Sequence, residues 1–286
     1  MKKLSIVLLS VLLLIVFVGC DLSVETMGKM GKNLAGTDKN YVASIIKQTE
    51  PEAAKKKDED GKITITGSNF SISASEGKGS ISIGGKDVKV PSELQTAINK
   101  VLTDSEFSSI ILPTDISDIV LGVKSGSNSE IIKEELKKTA KDDSLKAAQG
   151  TVTLVNAMLD EVQKAVKDDD PEGGFDEVIK DIKGFLPDKG SITNGDVVVL
   201  TALTNIVFNE NVLSNVGSIM EKPESPSDKD AQDKYDSAMK EVTGEMMNQV
   251  SSLLDVVTNV PSGMSNKIND FINNLMDNSD NKEEAK

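Results

Sequence analysis

Histidine and cysteine, which often carry out catalysis or bind transition metals, are nearly missing from this chain of 286 residues. It contains no histidine, and its single cysteine is Cys20. Without histidine the chain lacks the usual acid–base group near neutral pH and the commonest transition-metal ligand. Ser/Lys pairs, tyrosine hydroxyls and paired carboxylates remain, but no spacing in the sequence marks such a pair. We therefore expect a protein that is not an enzyme, with no catalytic residue, no metal ligand and no cofactor.

Cys20 follows a segment with the three-part pattern of a secretory signal peptide. Lys2 and Lys3 give a basic start, and residues 4–18 are apolar apart from two serines. This apolar run is short for a permanent membrane span, which needs about 20 apolar residues. The alternatives are an ordinary cleaved signal peptide with an incidental cysteine, or an uncleaved anchor helix.

The sequence Phe17-Val18-Gly19-Cys20 resembles the lipobox of bacterial lipoproteins. In that family a small residue precedes a cysteine that is diacylated on sulfur, becomes the first residue after cleavage, and is then usually N-acylated. The resemblance implies a type II signal peptide cleaved before Cys20, and a palmitate-bearing membrane anchor on that residue. Phe17 replaces the commonest leucine, and such relaxed boxes are frequent in spirochaete lipoproteins. The resemblance covers residues 1–20 only, so the mature domain is not recognised.

Composition limits the partners of the mature chain. Cleavage before Cys20 removes Lys2 and Lys3, which reduces the cationic residues from 32 to 30 against 46 acidic ones and changes the formal charge from −14 to −16. Nucleic-acid binding uses clustered Lys and Arg for phosphates and aromatic rings for stacking. The chain has no Arg and no Trp, so we exclude nucleic acid as a partner. The expected partners are a membrane, through the lipid on Cys20, and an envelope or host protein; the oligomeric state is left open.

Residues 62–90 show the clearest structural pattern of the mature chain. Four short alternating apolar runs are separated by three dipeptides, Gly67-Ser68, Glu76-Gly77 and Gly84-Gly85. If each dipeptide is a two-residue hairpin loop, counting outward pairs Ile65 with Phe70, Ile63 with Ile72, Ile72 with Ile81, and Ile81 with Val88. A one-residue slip would move a strand's apolar residues to the opposite face. The agreement at all three turns predicts a four-stranded antiparallel meander with one apolar face and one Ser/Thr/Lys face.

Most of the remaining mature chain has helical periodicity. Ser92 and Gln95 form a capping box for a helix over 92–102, which we expect to cover the sheet together with the strongly apolar segment 196–208. A heptad stripe over 144–166 predicts a long helix packed inside the molecule rather than a dimer seam. The apolar runs around Pro113 are interpreted as short helical turns. Further helices are predicted over 38–49, 130–139, 175–186, 212–220, 228–257 and 261–277.

Short motifs that suggest ligand binding fail on their spacing. Residues 58–61 overlay part of an EF-hand calcium loop, but Lys56 and Gly67 occupy its first and twelfth positions, where carboxylates are needed. Residues 77–80, Gly-Lys-Gly-Ser, lack the upstream glycine and the following helix of a phosphate loop. Residues 168–170, three aspartates before a proline, are typical of a solvated turn. None of these segments is therefore predicted to bind a metal or a phosphate.

These patterns predict the α+β class, with a four-stranded antiparallel β-meander covered on one face by a mainly helical remainder. The predicted organisation is a signal peptide over 1–20, a tether over 21–36, a single domain over 37–277 with a polar linker near 221–230, and a disordered tail over 278–286.

The expected function is that of a lipid-anchored lipoprotein of a bacterial cell envelope, on the periplasmic face or the cell surface. Its role would be non-enzymatic binding or structural support. One alternative is a membrane-active lipoprotein that inserts the amphipathic helices 228–257 and 261–277 into a leaflet. The acidic polar faces of these helices count against it, because interfacial helices usually carry Lys or Arg there. The other alternative is a hydrolase that uses Ser/Lys or paired carboxylates.

Overall fold

A computed structural model describes most of the chain from Glu52 onward. The described residues are 52–67, 70–83, 85–88, 90, 92–112, 114, 116–124, 129–166, 174–207 and 229–271. The predicted signal peptide, the tether, the helices over 38–49 and 212–220, the aspartates at 168–170 and the tail lie outside these residues. Most of the predicted linker near 221–230 does as well.

The described residues form an α+β structure with antiparallel sheets. The strands are β1 (Glu52–Ala54), β2 (Lys56–Lys57), β3 (Ile63–Thr66), β4 (Phe70–Ser75), β5 (Lys78–Ile83), β6 (Lys86–Val88) and β7 (Ser109–Ile111). The helices are α1 (Ser92–Thr103), α2 (Ser117–Lys124), α3 (Ser129–Leu136), α4 (Asp142–Val166), α5 (Gly174–Phe185), α6 (Asn194–Val207), α7 (Lys229–Asn259) and α8 (263–271).

The larger sheet has five strands in the described part of the chain, so the prediction of a four-stranded meander is wrong. Its order is β2-β3-β4-β5-β6, and the additional strand is β2, in which Lys56 pairs with Thr64 and Lys57 with Ile63. This charged run has no apolar alternation and therefore carries no strand signal. It forms an edge strand, where lysines discourage pairing with a further strand.

The register of the meander is confirmed at two turns and wrong at one. As predicted, Ile72 pairs with Ile81, and Ile81 pairs with Val88. At the first turn, however, Ile65 lies opposite Ile72 rather than Phe70. The last pair before that turn is Thr66 with Ser71, so four residues separate the paired positions instead of the predicted two, another common hairpin length.

The shift at the first turn leaves the predicted apolar face intact. It amounts to two residues, and side chains alternate with a period of two along a strand. The inward-facing Ile65, Ile72 and Ile81 are accordingly buried. The opposite face carries hydroxyls, among which the side chains of Ser73 and Ser80 form a cross-strand hydrogen bond of 2.8 Å.

Helix α1 covers the apolar face of this sheet, as predicted. Its side chains of Leu94 and Ile98 belong to one buried cluster with the strand residues, which we call the sheet core. Gly79 on β5 permits this close packing, because a Cβ atom there would lie 2.5 Å from Cγ2 of Ile98 and 2.7 Å from the carbonyl oxygen of Gln95. Gly79, the second glycine of the Gly-Lys-Gly-Ser run, thus allows the helix to pack closely on the sheet.

Strands β1 and β7 form a second, two-stranded sheet, which corrects the prediction of helical turns before Pro113. Ile110 of β7 pairs with Ala53 of β1. Because neighbouring strand residues point to opposite faces, Ile110 enters the sheet core and Ile111 enters a second cluster, the helical core. Periodicity over three residues does not reveal such a strand, whose partner lies more than 50 residues earlier. The segment after Pro113 is helical, as α2.

Helix α4 lies between the two cores. Its heptad positions Ala148 and Val152 are buried in the helical core, Leu159 is buried in the sheet core, and Val155 packs against both. The described part of the stripe therefore packs within the molecule, which supports the intramolecular interpretation.

Helix α6 is central in the helical core, and the prediction that it covers the larger sheet is wrong. Val197, Val198, Val199 and Leu200 are all fully buried, as expected for a helix that is apolar around its circumference. They cluster with residues of α2, α3, α7 and α8. The face of the sheet is instead filled by α1 and by parts of α4 and α5.

The end of α7 and helix α8 pack on the domain. Leu253, Val256, Met264 and Ile268 are buried in the helical core, and the ring of Phe271 packs edge-on against Phe185 with centroids 5.1 Å apart. The side chains of Tyr235, Met239 and Met246 on α7 lie outside the described side chains.

Candidate functional site

Cys20, the predicted lipid-attachment residue, lies outside the described residues. The candidate site within the described domain is a cleft of about 280 Å³. It is formed by three segments: the turn between α1 and β7, one face of α4, and the loop between α5 and α6. The lining residues are Asp104, Glu106, Phe107, Ser108, Lys146, Gln149, Gly150, Thr153 and Lys189.

Gly150 lies where α4 approaches β7. A Cβ atom there would overlap the carbonyl oxygen of Ser109 and lie 3.3 Å from the ring of Phe107. On the next residue, Thr151 Oγ1 accepts the backbone N–H of Ile111 at 2.8 Å and donates to the carbonyl oxygen of Ala147. The helix thus satisfies a hydrogen-bond donor at the edge of β7 and fixes the depth of the cleft.

Side-chain hydrogen bonds hold both flanking segments in place. Gln149 Nε2 donates to the carbonyl oxygen of Lys189 at 2.9 Å, which joins α4 to the loop before α6. Lys55 Nζ donates to the carbonyl oxygen of Asp104 at 2.6 Å and lies 5.8 Å from the centre of the Phe107 ring. Asp104 Oδ1 accepts the backbone N–H of Glu106 at 2.9 Å, which forms a tight turn. The cleft is therefore formed in advance of any ligand.

The charged side chains of the cleft come from different segments according to sign. Asp104 and Glu106 follow α1, whereas Lys146 is on α4 and Lys189 is in the loop after α5. All four residues are exposed. The cleft therefore presents two carboxylates, which accept hydrogen bonds, and two ammonium groups, which donate them, and all four face water.

One hydroxyl of the cleft lining is engaged with the helix backbone. The Thr153 hydroxyl donates to the carbonyl oxygen of Gln149 at 2.7 Å, so its proton is directed to the helix backbone. In the described part of the chain, no group of three or more acidic or cysteine side chains is placed to share a metal ion.

The two short segments with partial ligand motifs have structural roles. In the turn between β2 and β3, Asp58 Oδ1 accepts the backbone N–H of Lys62 at 2.8 Å, and Gly61 takes φ +82°. This carboxylate closes a hairpin. The Gly-Lys-Gly-Ser run belongs to another hairpin, in which Gly77 forms the turn with Glu76 and residues 78–80 begin the second strand, β5.

A buried polar junction joins the start of α6 to the start of α8. Asp196 is 2 % exposed. Its Oδ2 accepts the backbone N–H and the hydroxyl of Thr193, and its Oδ1 accepts the backbone N–H of Met264 at 3.0 Å. Its own N–H donates to Thr193 Oγ1, which completes a capping box with Thr193 as the cap residue of α6. Because both carboxylate oxygens are engaged within the fold, we assign this residue a structural role.

The ion pairs that shift a pKa are not part of the cleft lining. On α3, Lys137 Nζ donates to Glu134 Oε1 at 2.7 Å. This hydrogen bond lowers the pKa of the Glu134 carboxyl and raises that of the Lys137 amine. On α4, the hydrogen bond to Glu161 raises the pKa of Lys164.

No residue of the cleft stands out in the sequence as a site residue, because its three segments are far apart along the chain. The one available signal is Gly150. A glycine inside a helix costs about 1 kcal/mol against alanine, so its presence in an otherwise regular heptad stripe indicates a close contact.

No protein-family model, no curated protein and no solved structure matches the chain.

Proposed function

We propose that this protein is a lipid-anchored lipoprotein of a bacterial cell envelope, whose folded domain has a non-enzymatic binding or structural role. The observation that carries the proposal is the sequence Phe17-Val18-Gly19-Cys20 at the end of a basic and then apolar segment. The single cysteine of the chain stands at the position where lipid attachment requires one.

The predicted tether over 21–36 separates this cysteine from the predicted domain. A segment of that length spans at most about 55 Å when fully extended. The tether therefore allows the domain to act away from the headgroups of the membrane that holds it.

The packing of the described domain supports a role in water rather than in a leaflet. Among the described side chains, Ile131 is the only large apolar one that is exposed, at 42 %. A membrane-binding face would present a contiguous apolar patch. No described helix has the length and apolar character to cross a bilayer.

The membrane-active alternative conflicts with the helical core. Insertion of α8 and the end of α7 into a leaflet would remove Leu253 and Met264 from their contacts with α6. The fully buried Val197 and Val199 would then face water. Exposing each such side chain costs about 1.5–3 kcal/mol.

Palmitate labelling tests the proposal directly. Cells that express the chain with Cys20→Ala should incorporate no label into it, and the unprocessed or soluble exported form should accumulate. Ser23→Ala is the matched control and should be labelled like the unaltered chain. Labelling of the Cys20→Ala chain at the normal level would contradict the proposal.

Flotation with neutral liposomes tests the alternative. Residues 21–286, which carry no lipid, should stay at the bottom of the gradient at both low and high salt. Co-flotation that survives high salt would favour the membrane-active function, because neutral liposomes carry no net charge and high salt screens electrostatic attraction.

A further inference from the structure

We propose that the cleft between α4, the turn after α1 and the loop after α5 binds a small zwitterion of the α-amino acid class. This inference concerns the domain itself and does not depend on the lipid anchor.

The arrangement of charge in the cleft selects this class of ligand. Asp104 and Glu106 would repel a polyanion such as a nucleotide, and Lys146 and Lys189 would repel a divalent cation. A zwitterion satisfies both signs, with its ammonium group on the carboxylates and its carboxylate group on the lysines. Each such contact is a charge-assisted hydrogen bond, which is the stronger kind.

The charged groups of the cleft are available to a ligand. Among the described residues, neither the Glu106 carboxylate nor the Lys189 ammonium has an ion-pair partner. Lys146 contacts Asp143 at 3.3 Å, and these side chains are 61 % and 72 % exposed. Exposed pairs of this kind contribute little, so Lys146 can exchange its partner for a ligand carboxylate.

The size and rigidity of the cleft suit a small metabolite. Its volume of about 280 Å³ lies just below the range of about 300–1,000 Å³ found for drug-sized ligands. Phe107 and Gly150 are buried at its base and leave room for the carbon skeleton of the ligand. Because Gln149 and Lys55 already hold the flanking segments, binding requires little ordering of the chain.

Calorimetric titration of the full chain, purified in detergent, with each of the twenty common L-amino acids tests the proposal. At least one should bind with a dissociation constant of about 0.01–1 mM. Its N-acetyl amide, which lacks both charges, should bind at least tenfold more weakly. The proposal is overturned if no amino acid binds more tightly than about 10 mM, or if the uncharged analogue binds equally well.

Two substitutions locate the binding. Glu106→Gln and Lys189→Met each remove one charge from an exposed side chain, and each should weaken binding about tenfold or more. The unfolding midpoint should not change. Glu134→Gln and Lys137→Met make the same chemical changes on α3, outside the cleft, and should leave the affinity unaltered. Equal affinities of the cleft variants and the control variants would place the ligand elsewhere and overturn the proposal.

Discussion

The sheet core takes most of its residues from one continuous stretch, 53–110, whereas the helical core collects segments spread over residues 111–268. In the first, neighbouring hairpin strands pair with each other, and α1, which follows them directly, packs on the strands and on α4. Contacts in the second join helices that are distant along the chain. The two cores meet at Val155 and Phe185, which pack against both. The sheet core is therefore determined mainly by patterns among neighbouring residues, whereas the helical core depends on packing between distant segments.

The two cores also differ in how their closest contacts are made. In the sheet core, Gly79 lets α1 lie directly on the strand backbone. In the helical core, the start of α6 meets the start of α8 at a buried carboxylate, Asp196, beside Gly195. Both contacts need a glycine, because a Cβ at Gly195 would overlap the carbonyl oxygen of Pro261. Only the second also needs a buried carboxylate whose hydrogen bonds are satisfied.

Gly150→Ala should have the largest effect on stability, because this glycine lies on α4, between the two cores. Alanine would favour the helix by about 1 kcal/mol, but its Cβ would overlap the carbonyl oxygen of Ser109. We expect a net loss of about 3 kcal/mol or more in the free energy of unfolding. Urea unfolding of the purified chain, followed by circular dichroism, measures it.

Gly184→Ala is the matched control for that substitution. Gly184 is also inside a helix, but a Cβ there meets no atom within 4 Å. This change should stabilise the chain by up to about 1 kcal/mol. If both substitutions proved neutral or stabilising, α4 and β7 would not be in the close contact that couples the two cores.

The sequence predicts the parts of this fold that depend on neighbouring residues. Turns at Glu76-Gly77 and Gly84-Gly85 set the register of three strands, and the apolar circumference of α6 indicates a central helix. The sequence does not show which of the two cores contains α6, because that depends on contacts with α7 and α8. Strands β1 and β7 are missed for the same reason. The cleft shares this property, since its charged residues come together only after α4 has packed on β7.

Asp196→Asn tests whether the helical core depends on its buried carboxylate, with an intermediate effect expected. The amide can accept at one oxygen only, and its NH₂ group would face a backbone N–H of Thr193 or Met264. A buried donor left without an acceptor costs about 1–3 kcal/mol. Because the charge-assisted bonds are also lost, we expect a destabilisation of about 2–4 kcal/mol in urea unfolding.

Asp188→Asn provides the control for Asp196, because Asp188 is exposed in the loop before α6. A surface substitution of this kind should change stability by less than about 0.5 kcal/mol. A similarly small effect at Asp196 would mean that the junction of α6 and α8 is not set by the carboxylate, and that apolar packing alone closes the helical core.

Glu76→Asn should have the smallest effect, and it should be stabilising, because it improves a local turn in the sheet. Glu76 and Gly77 have φ values of +50° and +79°, as the two central residues of a type I′ hairpin require. Asparagine tolerates this left-handed conformation better than glutamate does. We expect a gain of about 0.5–1 kcal/mol in the free energy of unfolding.

Glu76→Ala removes the same charge without this backbone preference and should show no such gain. If alanine stabilised the chain as much as asparagine, the effect would come from the charge of this acidic protein rather than from the turn. The local account of the sheet register would then lose its support at this turn.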